Sequence, residues 1–187
     1  MQQSSNEIKV WDPLVRLFHW SLVIACITAY ITQEENYDLH LQSGYLLIGL
    51  ICFRIAWGFI GSPHARFSDF IYSPTTLINY LKASRSHQAK RYLGHNPAGG
   101  VMVVLMIIVL LVITLSGVAL DAAENRAGPL SGTQLFLYTD IINVIHNLST
   151  HIATAMVVLH ILGVIFSGKA HNENLVLAMI TGRKRGE

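Results

Sequence analysis

The chain has 187 residues, 52% of them hydrophobic and only 13% charged, with a mean hydropathy of +0.44. A soluble domain carries about a quarter charged residues, so charge this sparse, gathered between long apolar runs, excludes an ordinary soluble protein and indicates an integral membrane one. The net charge of +2 decides little; the placement of the charges decides more.

Four apolar spans follow in order, at about 14–32, 40–60, 97–120 and 141–168. Each is near or above the roughly 20 residues needed to cross about 30 Å of hydrocarbon. The first lies where a removable signal could also sit, and Val23-Ile24-Ala25-Cys26 loosely resembles a lipoprotein cleavage box. Acidic Glu7 and Asp12 precede it without a clearly basic start, and cleavage would discard His19, so the segment is read as a membrane helix. The second span is the least apolar because it carries Arg54. In the loop after it, Pro74 precedes Leu77, Tyr80 and Leu81, whose spacing predicts a short helix on the membrane surface. The third span is uncharged from Gly99 to Leu120, and Asn96 with Pro97 supplies a cap and a first-turn proline. The fourth, Ile141 to Gly168, is also uncharged. Residues 1–187 are therefore expected to form a single all-α domain, an integral membrane four-helix bundle.

Lysine and arginine set the orientation. The loop between spans two and three holds Arg66, Lys82, Arg85, Lys90 and Arg91, and the tails add Lys9, Arg16, Lys169, Arg183, Lys184 and Arg185. The opposite side has Glu34, Glu35 and Asp38 in one turn, and Arg126 alone as a cation in the other. Both termini are expected to be cytoplasmic. The outer acids, with Asp121, Glu124 and Asp140, read mainly as solvated charges that could also steer a basic partner.

An imidazole at membrane depth is costly without a partner, so an intramembrane histidine is a functional candidate. There are four: His19, His40, His146 and His160. His146 and His160 share one span, and their fourteen-residue spacing, at about 100° per residue, falls only about 40° short of four full turns. The two rings therefore share a face and lie roughly 21 Å apart along the axis. One helix can thus give one axial ligand to each of two haems. Depth completes the pairs: His19 with His160 toward the cytoplasm, His40 with His146 toward the outer face. Zinc fits poorly, since the four ligands lie at two depths. Cys26 and Cys52 form neither a CxxC nor a CxxCH motif, so the haem iron is held without thioether bonds.

Supporting residues follow. Gly44, one turn from His40, removes bulk where a porphyrin edge must pass. Arg54, fourteen residues beyond His40, lies on its face at the level of the cytoplasmic pair, and a haem propionate is a natural anion for it. Arg16, one turn before His19, is either a second propionate partner or an interfacial snorkelling cation. His151 is rotated by roughly 140° from His146 and faces off the seam. His64, His87, His95 and His171 fall in cytoplasmic segments and read as solvated or interfacial.

At these residues the chain resembles the bacterial di-haem cytochrome b family that includes the b-type subunits of membrane-bound nickel–iron hydrogenases. The resemblance runs from Val10 to about Lys169. It rests on Val10-Trp11-Asp12-Pro13 with Arg16-Leu17-Phe18-His19-Trp20, on His40 with Gly44, and on Phe53-Arg54 with Trp57-Gly58-Phe59-Ile60-Gly61. Ala65-Arg66-Phe67, Gly94-His95-Asn96-Pro97 and the His146–His160 spacing complete it. It implies two non-covalent b-type haems in a four-helix bundle of the bacterial inner membrane. Haems with two histidine ligands have no open iron position and favour electron transfer. The expected function is electron transfer between the membrane quinone pool and a redox partner, a periplasmic c-type cytochrome or a dehydrogenase or hydrogenase subunit. No residue in the sequence marks the proton acceptor that a quinone step needs. The alternatives are a stand-alone oxidoreductase, a superoxide oxidase or ferric reductase acting at the outer haem, and a non-redox membrane component. The first should want a cationic funnel, and the outer side offers only Arg126.

Overall fold

The computed structural model describes residues 7–86 and 88–186, so His87 lies outside them. Among the described residues the chain is mostly helical: α1 Pro13–Thr32, α2 Tyr37–Ile60, α3 Phe67–Phe70, α4 Pro74–Arg85, α5 Pro97–Glu124, α6 Thr139–His171 and α7 Leu175–Thr181. Four of them, α1, α2, α5 and α6, are long and apolar enough to cross a membrane. Large apolar side chains stand exposed along all four, among them Leu17, Ile24, Leu46, Leu105, Leu148 and Leu159, as contact with hydrocarbon requires.

Side-chain caps set the starts. Asp12 Oδ1 accepts the Val15 N–H at 3.0 Å ahead of α1, and Asn96 Oδ1 accepts the Gly99 N–H at 2.8 Å ahead of α5, with Pro13 and Pro97 in the first turns. Asn36 Oδ1 accepts the Leu39 N–H at 3.0 Å, so α2 begins at Tyr37 and not at His40. The α5 helix runs past the expected Leu120 to Glu124 because Asp121 is buried against polar partners and two alanines follow it. The short helix expected near Leu77 is α4, capped by Ser73 Oγ on the Thr76 N–H at 3.2 Å.

The chain divides into two compact units. The first comprises Met1–His19, Arg54–Val104 and Val158–Glu187. Its core joins Val10, Trp11, Val15, Ala65 and Ala178. Here two short strands, β1 Glu7–Lys9 and β2 Arg183–Arg185, pair antiparallel with Ile8 opposite Lys184. Three-residue strands rich in Lys and Arg carry no apolar alternation, so this sheet leaves no signal in the sequence. Asp12 is also a staple: its Oδ2 accepts from Trp57 Nε1 at 3.2 Å and from Ser62 Oγ. Burial alone would raise its carboxyl pKa, but the bonds from Ser62, Val15 and Trp57 outweigh it and hold the group below the usual carboxylate range. Glu173 is held likewise, with burial outweighed by Arg91 and Lys184, which lie 2.5 and 3.4 Å away.

The second unit comprises Trp20–Phe53 and Leu105–Val157. Its buried apolar residues are Ala25, Leu47, Ile51, Leu110, Ala122, Ala123 and Ile142. Within the helices, the hydroxyls of Thr114, Ser149 and Thr154 return to carbonyls one turn earlier, which satisfies them without a partner helix.

Candidate functional site

One expected histidine pair falls in each unit. In the second unit the rings of His40, on α2, and His146, on α6, lie 6.3 Å apart between centroids, with planes 76° apart. His40 Nδ1 sits 2.8 Å from the Ala29 carbonyl. His146 Nδ1 sits 3.0 Å from the Ile113 carbonyl and 3.1 Å from Ser116 Oγ. A ring N–H donated to a carbonyl fixes the tautomer, so in both residues Nε2 keeps the lone pair. Metal–imidazole bonds of about 2 Å, plus half a ring on each side, place two axial ring centroids about 6 Å apart. The spacing and the free nitrogens both fit a bis-histidine metal centre. The α5 backbone comes close to this centre at Gly117, where a Cβ would lie 3.1 Å from His146 Cε1. At Gly44 a Cβ would meet no atom within 4 Å.

In the first unit, His19 on α1 and His160 on α6 lie within electrostatic reach of each other. All four imidazoles are partly buried, whereas His151 is exposed, in keeping with its rotation away from His146. Among the described residues no three or more His, Cys, Asp or Glu side chains gather as one metal site.

Arg54 is only 4% exposed. Its guanidinium lies 5.2 and 5.6 Å from the ring centroids of Phe67 and Phe70, and Nη1 is buried without a hydrogen-bond partner. The carboxylate that acts on it electrostatically, Asp12, is already occupied by Val15, Trp57 and Ser62. A buried arginine with an unspent donor fits an anion such as a carboxylate. Arg16 donates one guanidinium nitrogen to the Ile180 carbonyl, capping the last turn of α7, and its Nε, like Arg54 Nη1, is buried without a hydrogen-bond partner.

Two sequence expectations change. His95 is not solvated. Its ring is held between Trp11 and Phe70, each 4.8 Å away between centroids, and Nδ1 is buried. Burial, with Arg54 and Lys184 adding to it, pushes its imidazole pKa down to about 3, so it stays neutral near pH 7. Asp121 is not a solvated outer charge either: it is 3% exposed and accepts the Tyr37 hydroxyl. From the third span, which supplies no histidine, Ile113, Ser116 and Gly117 all bear on His146. The adjacent Ser116-Gly117, polar and small within an otherwise apolar run, was the available signal.

Three similar proteins carry the name "Probable Ni/Fe-hydrogenase B-type cytochrome subunit". That of Rhizobium leguminosarum bv. viciae is 22% identical, covering 96% of this chain and 89% of its own. That of Bradyrhizobium diazoefficiens is 20% identical, covering 95% and 86%. That of Azotobacter vinelandii is 23% identical, covering 96% and 89%. No solved structure matches the chain. Residues 10–182 match the family described as prokaryotic cytochrome b561, and with its four membrane-capable helices the chain belongs to that family, as a multi-pass bacterial membrane protein of electron transport.

Proposed function

We propose that this protein is a di-haem b-type cytochrome that carries electrons between the membrane quinone pool and a redox partner. The observation that carries the reading is the His40–His146 pair, with its 6.3 Å ring spacing and both Nδ1 atoms tied up. The family supports b-type haem. His40 and His146 are proposed to hold one haem and His19 and His160 the other, with α6 supplying one ligand to each. Bound in this way, the haems supply one-electron chemistry with no open iron position. The protein's part is orientation and charge. The Ala29 and Ile113 carbonyls and Ser116 aim two imidazoles, and Arg54 offers its buried guanidinium to a propionate. Gly117 keeps side-chain bulk away from His146, and Gly44, one turn from His40, leaves open space where a porphyrin edge would pass.

The lysine and arginine distribution favours both termini on the cytoplasmic side of the inner membrane, with residues 1–187 acting as one membrane domain. For the partner, the hydrogenase cytochrome names of the relatives favour a hydrogenase over a c-type cytochrome. The test is spectroscopic. Purified protein should show two six-coordinate b haems that a short-chain quinol reduces and a quinone reoxidises, and native membranes should yield it with its partner. Protein without haem, or haem that quinol cannot reduce, would overturn the proposal.

A further inference from the structure

On α5 the exposed residues between Pro97 and Leu120 are Val101, Leu105, Ile108, Val112 and Leu115, all apolar, as a surface against lipid requires. The α6 helix differs. Asn143, Asn147, His151 and Thr154 are all exposed, and their spacings of four, four and three residues put them on one face, within an arc of about 80°. The uncharged run from Ile141 to Gly168 has its midpoint between Thr154 and Ala155. At 1.5 Å per residue, His151 lies about 5 Å from that midpoint and Asn147 about 11 Å, inside the roughly 15 Å half-thickness of the hydrocarbon. Thr154 returns its hydroxyl to the Thr150 carbonyl at 2.9 Å, and Asn147 Nδ2 donates to Asn143 Oδ1 at 2.6 Å. Among the described residues, none bonds to Asn147 Oδ1 or to the His151 ring.

An amide or imidazole left bare in hydrocarbon is costly, and membrane helices meet that cost with hydrogen bonds from a neighbouring helix. We propose that this face of α6 packs against α6 of a second copy of the chain, side by side across a two-fold axis normal to the membrane. Copies inserted with the same orientation place each residue opposite itself at the same depth. Such an interface needs groups that can pair with their own kind. A carboxamide carries both donor and acceptor, and so do a hydroxyl and a neutral imidazole. The stripe holds only these groups, so Asn147 meets its own counterpart and His151 does the same. No one-sided group such as Lys or Glu stands on it to select an unlike helix. At the midpoint the exposed Thr154 and Ala155 are small and let the two helix axes approach. His146 points about 140° away from His151, and the pairing does not depend on what His40 and His146 bind.

The experiment is cysteine crosslinking of the full-length protein in native membranes and in phospholipid vesicles, with the two natural thiols removed as Cys26→Ala and Cys52→Ala. Under mild oxidation, Asn147→Cys and His151→Cys should each give a disulfide-linked dimer on a non-reducing gel. Ile145→Cys, at similar depth but exposed on nearly the opposite face, should stay monomeric. Light scattering of the detergent-solubilised wild type should give the protein mass of two chains. The double variant Asn147→Leu with His151→Leu should dimerise about tenfold more weakly and keep the wild-type haem content, which separates lost pairing from lost fold. A monomeric wild type, equal crosslinking at all three positions, or linkage of Asn147→Cys to a different protein in native membranes overturns the proposal. Should the variants lose their haem, the wild-type mass decides: two chains support the proposal and one overturns it.

Discussion

His40 and His146 face each other with ring centroids 6.3 Å apart, each held from behind by a main-chain carbonyl on a neighbouring helix, Ala29 on α1 and Ile113 on α5. Orientation is thus imposed by backbone, which no side-chain substitution removes, and the Nε2 atoms are left to bind metal. Replacing either histidine should therefore remove one haem of two and leave the other's spectrum intact. His19→Ala or His160→Ala should remove the other. His151→Ala should keep both, because its side chain is exposed. A pyridine haemochrome assay on the purified variants reads the outcome as a halved or unchanged haem content per chain. Loss of haem in His151→Ala with full content in His146→Ala would sink the assignment on α6.

Gly117 gives a finer test of the same pair. A Cβ at this position would stand 3.1 Å from His146 Cε1 and 3.5 Å from Nδ1, so alanine asks the ring to move by a few tenths of an ångström. A larger residue cannot be accommodated without turning the imidazole off its carbonyl. Gly117→Ala should keep both haems, whereas Gly117→Leu should lose the His40–His146 haem selectively. Redox-resolved absorption spectra distinguish this from global misfolding, which would remove both.

Much of this was legible in the sequence, and what was missed has common causes. The four spans and the Asn96–Pro97 start of α5 follow from apolar run length and cap chemistry. Such signals survive without tertiary context. The ends of α2 and α5 shifted because the reading let the spans stop where apolar residues stopped. Asn36 carries α2 back to Tyr37, and the burial of Asp121 carries α5 on to Glu124. His95 and Asp121 were read as solvated because sequence shows polarity but not enclosure; Trp11, Phe70, Tyr37 and Gly128 come to them from distant parts of the chain. Arg16 lies where the sequence placed it, with one guanidinium nitrogen on the Ile180 carbonyl of α7 and Nε buried without a hydrogen-bond partner; α7 itself is signalled in the sequence only by its Asn174 cap.

The Glu173 cluster predicts a pH dependence of stability. Its side chain is 8% exposed and accepts from Arg91 Nε at 3.0 Å, with Lys184 Nζ at 3.4 Å. Its folded pKa lies below the ordinary 4.5, so its contribution is fully present above that pH and is lost as pH falls through the lower folded value. Glu173→Gln leaves two mostly buried cations without their anion, and breaking such a pair costs about 3 kcal/mol. Thermal unfolding in detergent should show that loss at neutral pH, with the wild type and variant converging below pH 4.5. A constant difference across the acid range would mean that packing, and not charge, explains the cluster.

Arg54 makes the sharpest prediction about potential. It is 4% exposed, its guanidinium is packed against Phe67 and Phe70, and Nη1 has no hydrogen-bond partner. Aromatic faces offset part of the cost of burying a cation but supply no acceptor for its N–H groups. Asp12, the carboxylate that acts on it electrostatically, is engaged elsewhere. A haem propionate is the anion that would complete the site, and a positive charge beside a haem stabilises the reduced state over the oxidised one. Arg54→Leu should therefore lower the potential of the His19–His160 haem. The shift for a one-electron couple is about 60 mV if the lost bond contributes about 1.4 kcal/mol more in the reduced state. Arg54→Lys, which keeps the charge but not the planar fork, should fall between the two. The His40–His146 haem should hold its potential in both variants. Redox titration with haem quantification decides it: two unaltered potentials at full haem content would mean that the guanidinium is satisfied by its aromatic neighbours alone.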